Sequence, residues 1–393
     1  MLSRRSSHTR WFPHALRSVI RRVFRRHPPA QLSVSITRED KPLREYGTGG
    51  YYLVNAGDIL HDRYEALFLM GYGRFAVLWL AKDLQNNEPV AIKIMIAALD
   101  DPTQRGDWDE SEMMKILRDR NPSSPGYQHV CHLRDDFVVE GPNGRHNCLV
   151  LDPLGVTALE IGRAFAGPIP LVILKRMIRH ILYALDYLHQ DCDIIHTDIK
   201  GDNILLAGAP VAIGQGPVEL QESELMSSTF KLLDFGAANK MSNRFAQQIQ
   251  PTALRSPEVI IGAEWDTKVD IWNFGCIIYE FLTGKPLFAP SWDNKGSGLS
   301  PTETHLAQIV GLLGSFPSSL LAQGTRTEQY FDPQGSLLKQ DLRYNTTIAR
   351  LLKDRYSRRK SSRMADFLLK MLVIDPAQRW SAAQLLEHPW LRE

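Results

Sequence analysis

The sequence predicts an α+β protein in which strands come first and helices follow. Apolar residues alternate from Tyr64 to Leu80 and again from Val90 to Ile96, which is the period of β-strands. From Leu171 to Gln190 they recur every three or four residues, as on a buried helix. The 393 residues are 44% hydrophobic and 23% charged, a composition that supports one large core or two packed lobes.

Composition also excludes several classes of protein. The longest apolar stretch, Ile271 to Leu282, contains Asn273 and Glu280 and is too short to cross a bilayer, so we expect no transmembrane segment. The cysteines are scattered without a CxxC pair, which favours buried thiols in a reducing compartment over disulfides or a zinc site. They are Cys131, Cys148, Cys192 and Cys276.

The first 29 residues differ from the rest of the chain. They hold eight arginines and no acid, whereas the remainder carries a formal charge of −6, which argues against a nucleic-acid coat. Apolar residues at helical spacing predict a basic amphipathic helix like a mitochondrial presequence: Leu16, Val19, Ile20, Val23 and Phe24. The alternative is a disordered basic tail that contacts RNA or an anionic membrane surface. Residues 30–57 follow as a polar linker and a lead-in, with little structure expected up to about Gly50.

A glycine hairpin is predicted between the first two strands. Gly71 and Gly73 lack side chains, so the backbone there can approach a phosphate closely. The candidate phosphate-binding residues are Met70, Gly71, Tyr72, Gly73, Arg74, Phe75, Ala76, Val77 and Leu78. The alternative is a simple turn, because Ala76 stands where a G-x-G-x-x-G pattern has its third glycine.

The next strand offers a cation beside this hairpin. Val90, Ile92 and Ile94 share one face and Lys93 lies on the other, where its ammonium can pair with α- and β-phosphates. A solvated lysine is the alternative. The helical segment 107–120 then offers Glu112 to hold Lys93 by an ion pair, with Glu110 as the competing choice.

Two later segments carry further polar residues between apolar runs. Burying polar residues in a core costs free energy unless they are hydrogen-bonded, so their presence here indicates a functional role. In the first, Asp198 can accept a hydroxyl proton, Lys200 can neutralise a transferring phosphoryl group, and Asn203 can ligate a metal. In the second, Asp234 follows an apolar strand and is suited to a hard divalent ion. The order of all these features predicts phosphoryl transfer.

Together these residues resemble a eukaryotic protein kinase of the CMGC group. The matching motifs are Val90 to Lys93, His196 to Asn203, Asp234 to Gly236, Ser256 to Glu258, and Asp270 to Trp272. The resemblance implies that Arg379 pairs with Glu258. It also implies a bilobal protein-kinase-like fold, with a small lobe of antiparallel strands and one helix (58–154) and a larger, mainly α lobe (155–393).

Within that group the chain is most similar to the SR-protein kinases, in a short fungal-type form without their large spacer. The residues that carry this resemblance are Gly49 to Tyr51, Gly57 to Ile59, His146 to Val150, His196 to Lys200 and Leu254 to Ser256. The resemblance implies that Leu151 is the gatekeeper and that Asp152, Pro153 and Leu154 form the adenine-binding hinge. It also implies ATP and Mg²⁺ as cofactors.

The same resemblance implies a function and a setting. The expected activity is transfer of the ATP γ-phosphate to Ser or Thr hydroxyls of proteins, with Arg-Ser-rich splicing factors as the substrate class. We expect a monomer that needs no direct contact with nucleic acid. The expected location is the cytoplasm, the nucleus or both, and the arginine-rich tail offers mitochondria as the alternative.

Several residues depart from the kinase pattern. Thr197 replaces the usual arginine beside Asp198, which predicts a kinase assembled without an activation-loop phosphate. Gly201-Asp202 replaces Pro-Glu, and Pro251 replaces a threonine that supports Asp198. Ala76, Thr197 and Pro251 motivate the alternative of a pseudokinase scaffold. An active kinase is favoured because every residue expected to touch phosphate or metal is retained.

Overall fold

The computed structural model of the chain describes residues 32–34, 47–97, 109–153, 155–165, 168–207, 218–220, 222–244, 248–293, 298–339 and 344–392. The basic tail predicted for residues 1–29 lies outside these ranges. The described chain divides into an antiparallel sheet with one helix and a mainly helical part, which confirms the predicted α+β class.

The small lobe is built on a six-stranded antiparallel sheet with the strand order β2-β3-β4-β5-β7-β6. Its strands are β2 (Ile59–Leu60), β3 (Tyr64–Tyr72), β4 (Ala76–Asp83), β5 (Glu88–Met95), β6 (Leu133–Gly141) and β7 (Gly144–Leu151). Helix α1 (Glu110–Asp119) comes between β5 and β6 in the chain and packs beside β6.

Alternation along the strands separates a core face of this sheet from a face turned toward α1 and the cleft. Ile92 and Ile94 of β5 are fully buried in one apolar cluster with Val77 of β4 and Val150 of β7. Lys93, between the two isoleucines, points to the opposite face. The predicted side of the sheet for Lys93 is therefore confirmed.

The large lobe holds most of the helices and several two-stranded ladders. Its helices are α2 (Ala158–Ala164), α3 (Leu171–Asp186), α4 (Glu222–Ser227), α5 (Pro257–Ile261), α6 (Lys268–Thr283), α7 (Pro290–Asp293), α8 (Pro301–Leu313), α9 (Ser318–Leu321), α10 (Ile348–Leu352), α11 (Arg358–Met371), α12 (Ala382–Leu386) and α13 (Pro389–Arg392). Its strands are β8 (Ile194–Ile195), β9 (Ile204–Ala207), β10 (Val218–Leu220), β11 (Thr229–Leu232) and β12 (Asn239–Lys240).

Helix α6 forms the centre of the large lobe. It is apolar on nearly every side, and almost all its residues are buried, which is typical of a helix surrounded by others. Helix α3 packs against it and continues through one π-helical turn, Tyr187–Asp191, into strand β8. This path delivers the chain to the loop that follows β8, and that loop holds the polar residues singled out in the sequence.

A short strand lies within the predicted linker. Strand β1 (Leu32–Val34) pairs antiparallel with β10 (Val218–Leu220). The expectation of little structure before Gly50 is therefore wrong at these residues. The pairing depends on main-chain hydrogen bonds to a strand almost two hundred residues away in the sequence, and such a partner leaves no local signal.

The four cysteines are buried and free of disulfides, as expected from their apolar surroundings. None of the helices in the described part of the chain combines the length and the apolar character that crossing a bilayer requires.

Candidate active site

A cleft of about 620 Å³ opens between the glycine hairpin of the small lobe and the loops that follow β8 and β11 in the large lobe. Its walls include most of the candidate residues from the sequence: Gly71 to Leu78, Lys93, Asp198, Lys200, Asn203 and Asp234. Residues that were separated by more than 150 positions in the chain thus meet around one cavity.

The glycine hairpin is the turn between β3 and β4. The Gly73 N–H donates to the Ala76 carbonyl at 2.9 Å and closes the turn. A Cβ added to Gly71 or Gly73 would meet nothing within 4 Å, so packing does not require glycine at either position. The bare backbone instead leaves this side of the cleft open to a close approach by phosphate.

One residue that supports the hairpin was recognised only as part of the lead-in motif. The buried Tyr51 places its hydroxyl 2.6 Å from the Gly73 carbonyl and 3.0 Å from that of Arg74. Since these bonds connect the segment before β2 to the turn between β3 and β4, Tyr51 restrains the position of the hairpin. Nothing local in the sequence indicated this contact.

Lys93 is held by two carboxylates, and the glutamate is Glu110. The Lys93 Nζ lies 2.7 and 2.8 Å from the two Glu110 oxygens and 2.8 Å from Asp234 Oδ1. The prediction of Glu112 as the partner is wrong, because Glu112 pairs with Lys240 instead. Residues two apart on a helix point about 200° away from each other. Glu110, at 4% exposure, faces the cleft, whereas Glu112, at 56%, faces outward.

The three charges change one another's pKa values. Burial lowers the pKa of Lys93, but the carboxylates of Glu110 and Asp234 outweigh burial and raise it above its usual value. Burial would likewise raise the pKa of Asp234, yet the Lys93 charge holds it at about 2. Burial raises the pKa of Glu110, although Lys93 opposes this change. Lys93 and Asp234 are therefore ionised at neutral pH.

Asp198, Lys200 and Asn203 form a compact group on the opposite wall. The Lys200 ammonium lies 2.6 Å from Asp198 Oδ2. The Asn203 amide donates to Asp198 Oδ2 at 3.1 Å and to its carbonyl at 2.9 Å. These bonds orient the Asp198 carboxylate, which accepts from both neighbours and can also accept a substrate proton.

Buried polar contacts set the shape of this loop. Asp270, at the start of α6, is fully buried and accepts the backbone N–H groups of His196 and Thr197, each at 2.8 Å. Thr197 has φ of 66°, an unusual conformation for a β-branched residue, and Asp234 has φ of 62°. The Thr197 hydroxyl donates to the Ala237 carbonyl at 2.7 Å and so joins the two loops. Backbone strain of this kind persists where surrounding contacts enforce it.

Besides Glu112, three candidate ATP-binding residues stand apart from the cleft walls or outside the described chain. Asp152 directs its carboxylate to Arg134 and Lys231, each at 2.9 Å. Burial raises the pKa of Asp152, but hydrogen bonding from His132 and the charges of Lys231 and Arg134 hold it below its usual value. Met70 packs against the main apolar core. Leu154 lies outside the described residues.

Part of the cleft lining is apolar, and the sequence indicated only some of these residues. Leu151, the expected gatekeeper, lines it together with four residues that were not predicted: Met95, Met114, Cys131 and Leu233. Met95 lies on the same face of β5 as Lys93, two positions further on. The strand period could therefore have indicated Met95, whereas the other three contacts depend on how the lobes pack.

The oxygen donors fit a divalent metal shared with phosphates. Asn203 uses its amide N–H bonds on Asp198, so its amide oxygen is the atom suited to a metal, and Asp234 contributes an ionised carboxylate. Within the described ranges, no three His, Cys, Asp or Glu side chains gather into a closed metal site. Mg²⁺ prefers one or two protein oxygens together with substrate phosphates and water.

A buried ion pair joins helix α5 to the segment between α11 and α12 in the large lobe. Arg379 and Glu258 are both fully buried and form two bonds, at 2.8 and 3.0 Å. Arg379 also donates to the carbonyls of Lys268 and Val373. This contact confirms the pairing implied by the resemblance.

Comparison with known proteins agrees with this geometry. The family model for the protein kinase domain matches residues 64–391. The serine/threonine-protein kinase SRPK of Physarum polycephalum is 30% identical over 399 residues, covering 90% of this chain and 92% of that protein.

Two further relatives carry related names. Protein kinase dsk1 of Schizosaccharomyces pombe is 26% identical, with 91% of this chain and 86% of the relative covered. The human SRSF protein kinase 3 is also 26% identical, with 90% of each chain covered. The chain therefore belongs to the protein kinase family, as a serine/threonine kinase of the SR-protein-kinase-like group.

Proposed function

We propose specific roles for the cleft residues of this serine/threonine protein kinase. Asp198 is the base that accepts the substrate hydroxyl proton, and Lys200 neutralises the γ-phosphate. Lys93 binds the α- and β-phosphates, and Asn203 and Asp234 hold Mg²⁺. The observation that carries the proposal is the convergence of these five side chains on one cleft beneath a glycine hairpin.

The chemical step follows from these positions. The substrate hydroxyl oxygen forms a bond to the γ-phosphorus while the bond from that phosphorus to the β-phosphate oxygen breaks, and ADP leaves. Asp198 accepts the hydroxyl proton as the new bond forms. Lys200, 2.6 Å from the Asp198 carboxylate, places a positive charge where negative charge accumulates. Mg²⁺, when bound, adds further compensation for the charge of the phosphates.

We also propose that the substrates are proteins rich in Arg-Ser sequences. The name of the human relative refers to SRSF proteins, and names of SR-protein kinases recur among the relatives. Outside its first 29 residues the chain carries a formal charge of −6, which favours a positively charged substrate. Protein substrates of this kind require no contact between the kinase and nucleic acid, and we propose that the kinase acts as a monomer.

A peptide assay tests both the roles and the substrate class. Wild type should transfer phosphate from Mg-ATP to an Arg-Ser peptide, and Asp198→Asn should lose nearly all of this activity. Asp119→Asn, a change at an exposed position at the end of α1, serves as the matched control and should retain it. Equal rates from wild type and Asp198→Asn would refute the catalytic assignment. Equal rates on Arg-Ser and Lys-Ser peptides would refute the arginine preference alone.

For the location we propose the cytoplasm, the nucleus or both, which the resemblance to SR-protein kinases supports. The lobe boundary is proposed between residues 154 and 155. The arginine-rich residues 1–29 keep mitochondrial import as the competing proposal. A fluorescent reporter fused after residue 40 separates the two, because a diffuse or nuclear signal contradicts import and a mitochondrial signal contradicts the first proposal.

A further inference from the structure

An ion pair outside the cleft connects the two lobes. The Lys240 ammonium lies 2.5 Å from Glu112 Oε1. Lys240 belongs to the segment that begins with Asp234, and Glu112 belongs to α1. In the resemblance to protein kinases, the activation segment is the stretch between Asp234 and Glu258. The pair therefore links the start of this segment in the large lobe to the helix that presents Glu110 to Lys93.

The large-lobe end of this link is firmly anchored. Lys240 is part of β12, which pairs with β8 through the partners Lys240 with Ile194 and Asn239 with Ile195. The next residue, Met241, donates its N–H to the Asp193 carbonyl at 3.1 Å. Since β8 leads directly into the Asp198 loop, Lys240 keeps a fixed position relative to the catalytic residues.

The small-lobe end is a rigid helix that is also fixed at its far end. The Tyr187 hydroxyl, from the large lobe, lies 2.8 Å from the Leu117 carbonyl and 2.7 Å from that of Arg120, where α1 ends. Because only this end is held by Tyr187, the helix can still pivot about it, which moves the first turn with Glu110 and Glu112. Contacts at Glu110 and Glu112 therefore decide whether Glu110 reaches Lys93.

Glu112 is well placed to control that movement. It is two residues from Glu110 and on the other side of the helix, so the two glutamates hold opposite sides of the first turn. Lys240 attracts one side toward the large lobe, and Lys93 attracts the other toward the cleft. Rotation of α1 that releases either contact also strains the other.

We propose that Lys240 is a positioning residue, which acts through Glu112 to hold Glu110 against Lys93. The link is made by a lysine, so the active arrangement of α1 needs no phosphate on the activation segment. Thr197, which replaces the usual arginine beside Asp198, is consistent with this arrangement. The inference rests on the proposed role of Lys93 in binding ATP phosphates.

The expected effect is modest, because the pair is partly exposed: 28% for the Lys240 side chain and 56% for that of Glu112. Exposed ion pairs contribute little free energy, so losing this pair should change the KM for ATP by about two- to fivefold. Because Lys93 contacts the nucleotide, the change should appear in the KM for ATP and leave the KM for the peptide unaltered. It should also shrink at high salt, which screens exposed charges.

The test compares Lys240→Ala, Glu112→Ala, the double variant and the exchange Lys240→Glu with Glu112→Lys. Each single variant should weaken ATP binding about two- to fivefold. The double variant should be no worse than either single one, and the exchange should restore most of the loss. Affinity for a fluorescent ATP analogue is measured alongside the kinetics, so the effect remains detectable even if peptide phosphorylation fails.

Lys115→Ala is the matched control. Lys115 lies on the same helix and pairs with Asp136 at 2.6 Å, but Asp136 belongs to β6 of the small lobe. Removing this pair should leave ATP affinity unchanged. Unchanged ATP affinity in Lys240→Ala, additive losses in the double variant, or equal losses from Lys115→Ala would each overturn the proposal. If wild type binds ATP but phosphorylates no peptide, the proposed function fails and the positioning role is judged from binding.

Discussion

The substitution Glu110→Gln tests the core of the proposed ATP site. Glutamine keeps the shape of the side chain and removes the charge that faces Lys93 at 2.7 and 2.8 Å. A hydrogen bond to a charged group contributes about 1.5–3 kcal/mol, so its loss corresponds to roughly a 10- to 150-fold decrease in kcat/KM for ATP. Lys93 would retain Asp234, its other carboxylate partner at 2.8 Å, so the protein should still fold.

Glu112→Gln is the matched comparison, since it makes the same chemical change two residues away. It removes only the exposed pair with Lys240, so we expect kcat/KM for ATP to decrease about two- to fivefold. The assay is the rate of Arg-Ser peptide phosphorylation at varied ATP, with thermal unfolding as the check on folding. An equal loss from both variants, or a larger loss from Glu112→Gln, would refute the assignment of Glu110.

Three further predictions concern stability and reactivity. Arg379→Ala should lower the free energy of unfolding by about 3–5 kcal/mol, because it leaves the fully buried Glu258 charge unpaired; a loss below about 1 kcal/mol in chemical denaturation would contradict this. Burial lowers the pKa of His129 from 6.5 to about 4, so the unfolded chain binds a proton that the folded chain does not. His129 alone should therefore lower stability by about 1.4 kcal/mol per pH unit as pH decreases from about 6.5 to about 4, and His129→Gln should reduce the slope of stability against pH by about that amount; an unchanged slope counts against it. Burial raises the pKa of Cys131 and Cys148 to about 12, so a thiol reagent at neutral pH should label them only after unfolding; rapid labelling of the native protein would contradict this.

The strands and several residues of the cleft could be predicted because their signals are local. The alternation around Lys93 placed it on the correct face of β5 without knowledge of any other strand. The segment from His196 to Asn203 combined several polar residues between apolar runs, and the structure places Asp198, Lys200 and Asn203 of this segment in the lining of the cleft. Both inferences needed only the period of the element and the chemistry of the residues.

The choice between Glu110 and Glu112 could not be settled in the same way. It depends on the rotation of α1 relative to a sheet that the helix meets only in three dimensions. One local signal was available, since Asp109 caps the helix by accepting the N–H groups of Ser111 and Glu112. This cap fixes where the helix begins. It does not indicate which side of the first turn faces Lys93.

Contacts between distant segments were missed for the same reason. The Asp152 carboxylate pairs with Arg134 and Lys231, which come from β6 and from β11. Each of the three residues looks like an ordinary surface charge in the sequence. Only the packing of the two lobes brings the three charges together.

Three departures from the kinase pattern, Ala76, Thr197 and Pro251, make ordinary local contacts in the fold. The Thr197 hydroxyl donates to the Ala237 carbonyl at 2.7 Å. Ala76 is buried and pairs with Met95 in the sheet. Pro251 accepts the Leu254 N–H through its carbonyl and begins a short turn. Because these three residues fit into the fold while Lys93, Asp198, Asn203 and Asp234 line the cleft, the three departures give no reason to infer a loss of catalysis.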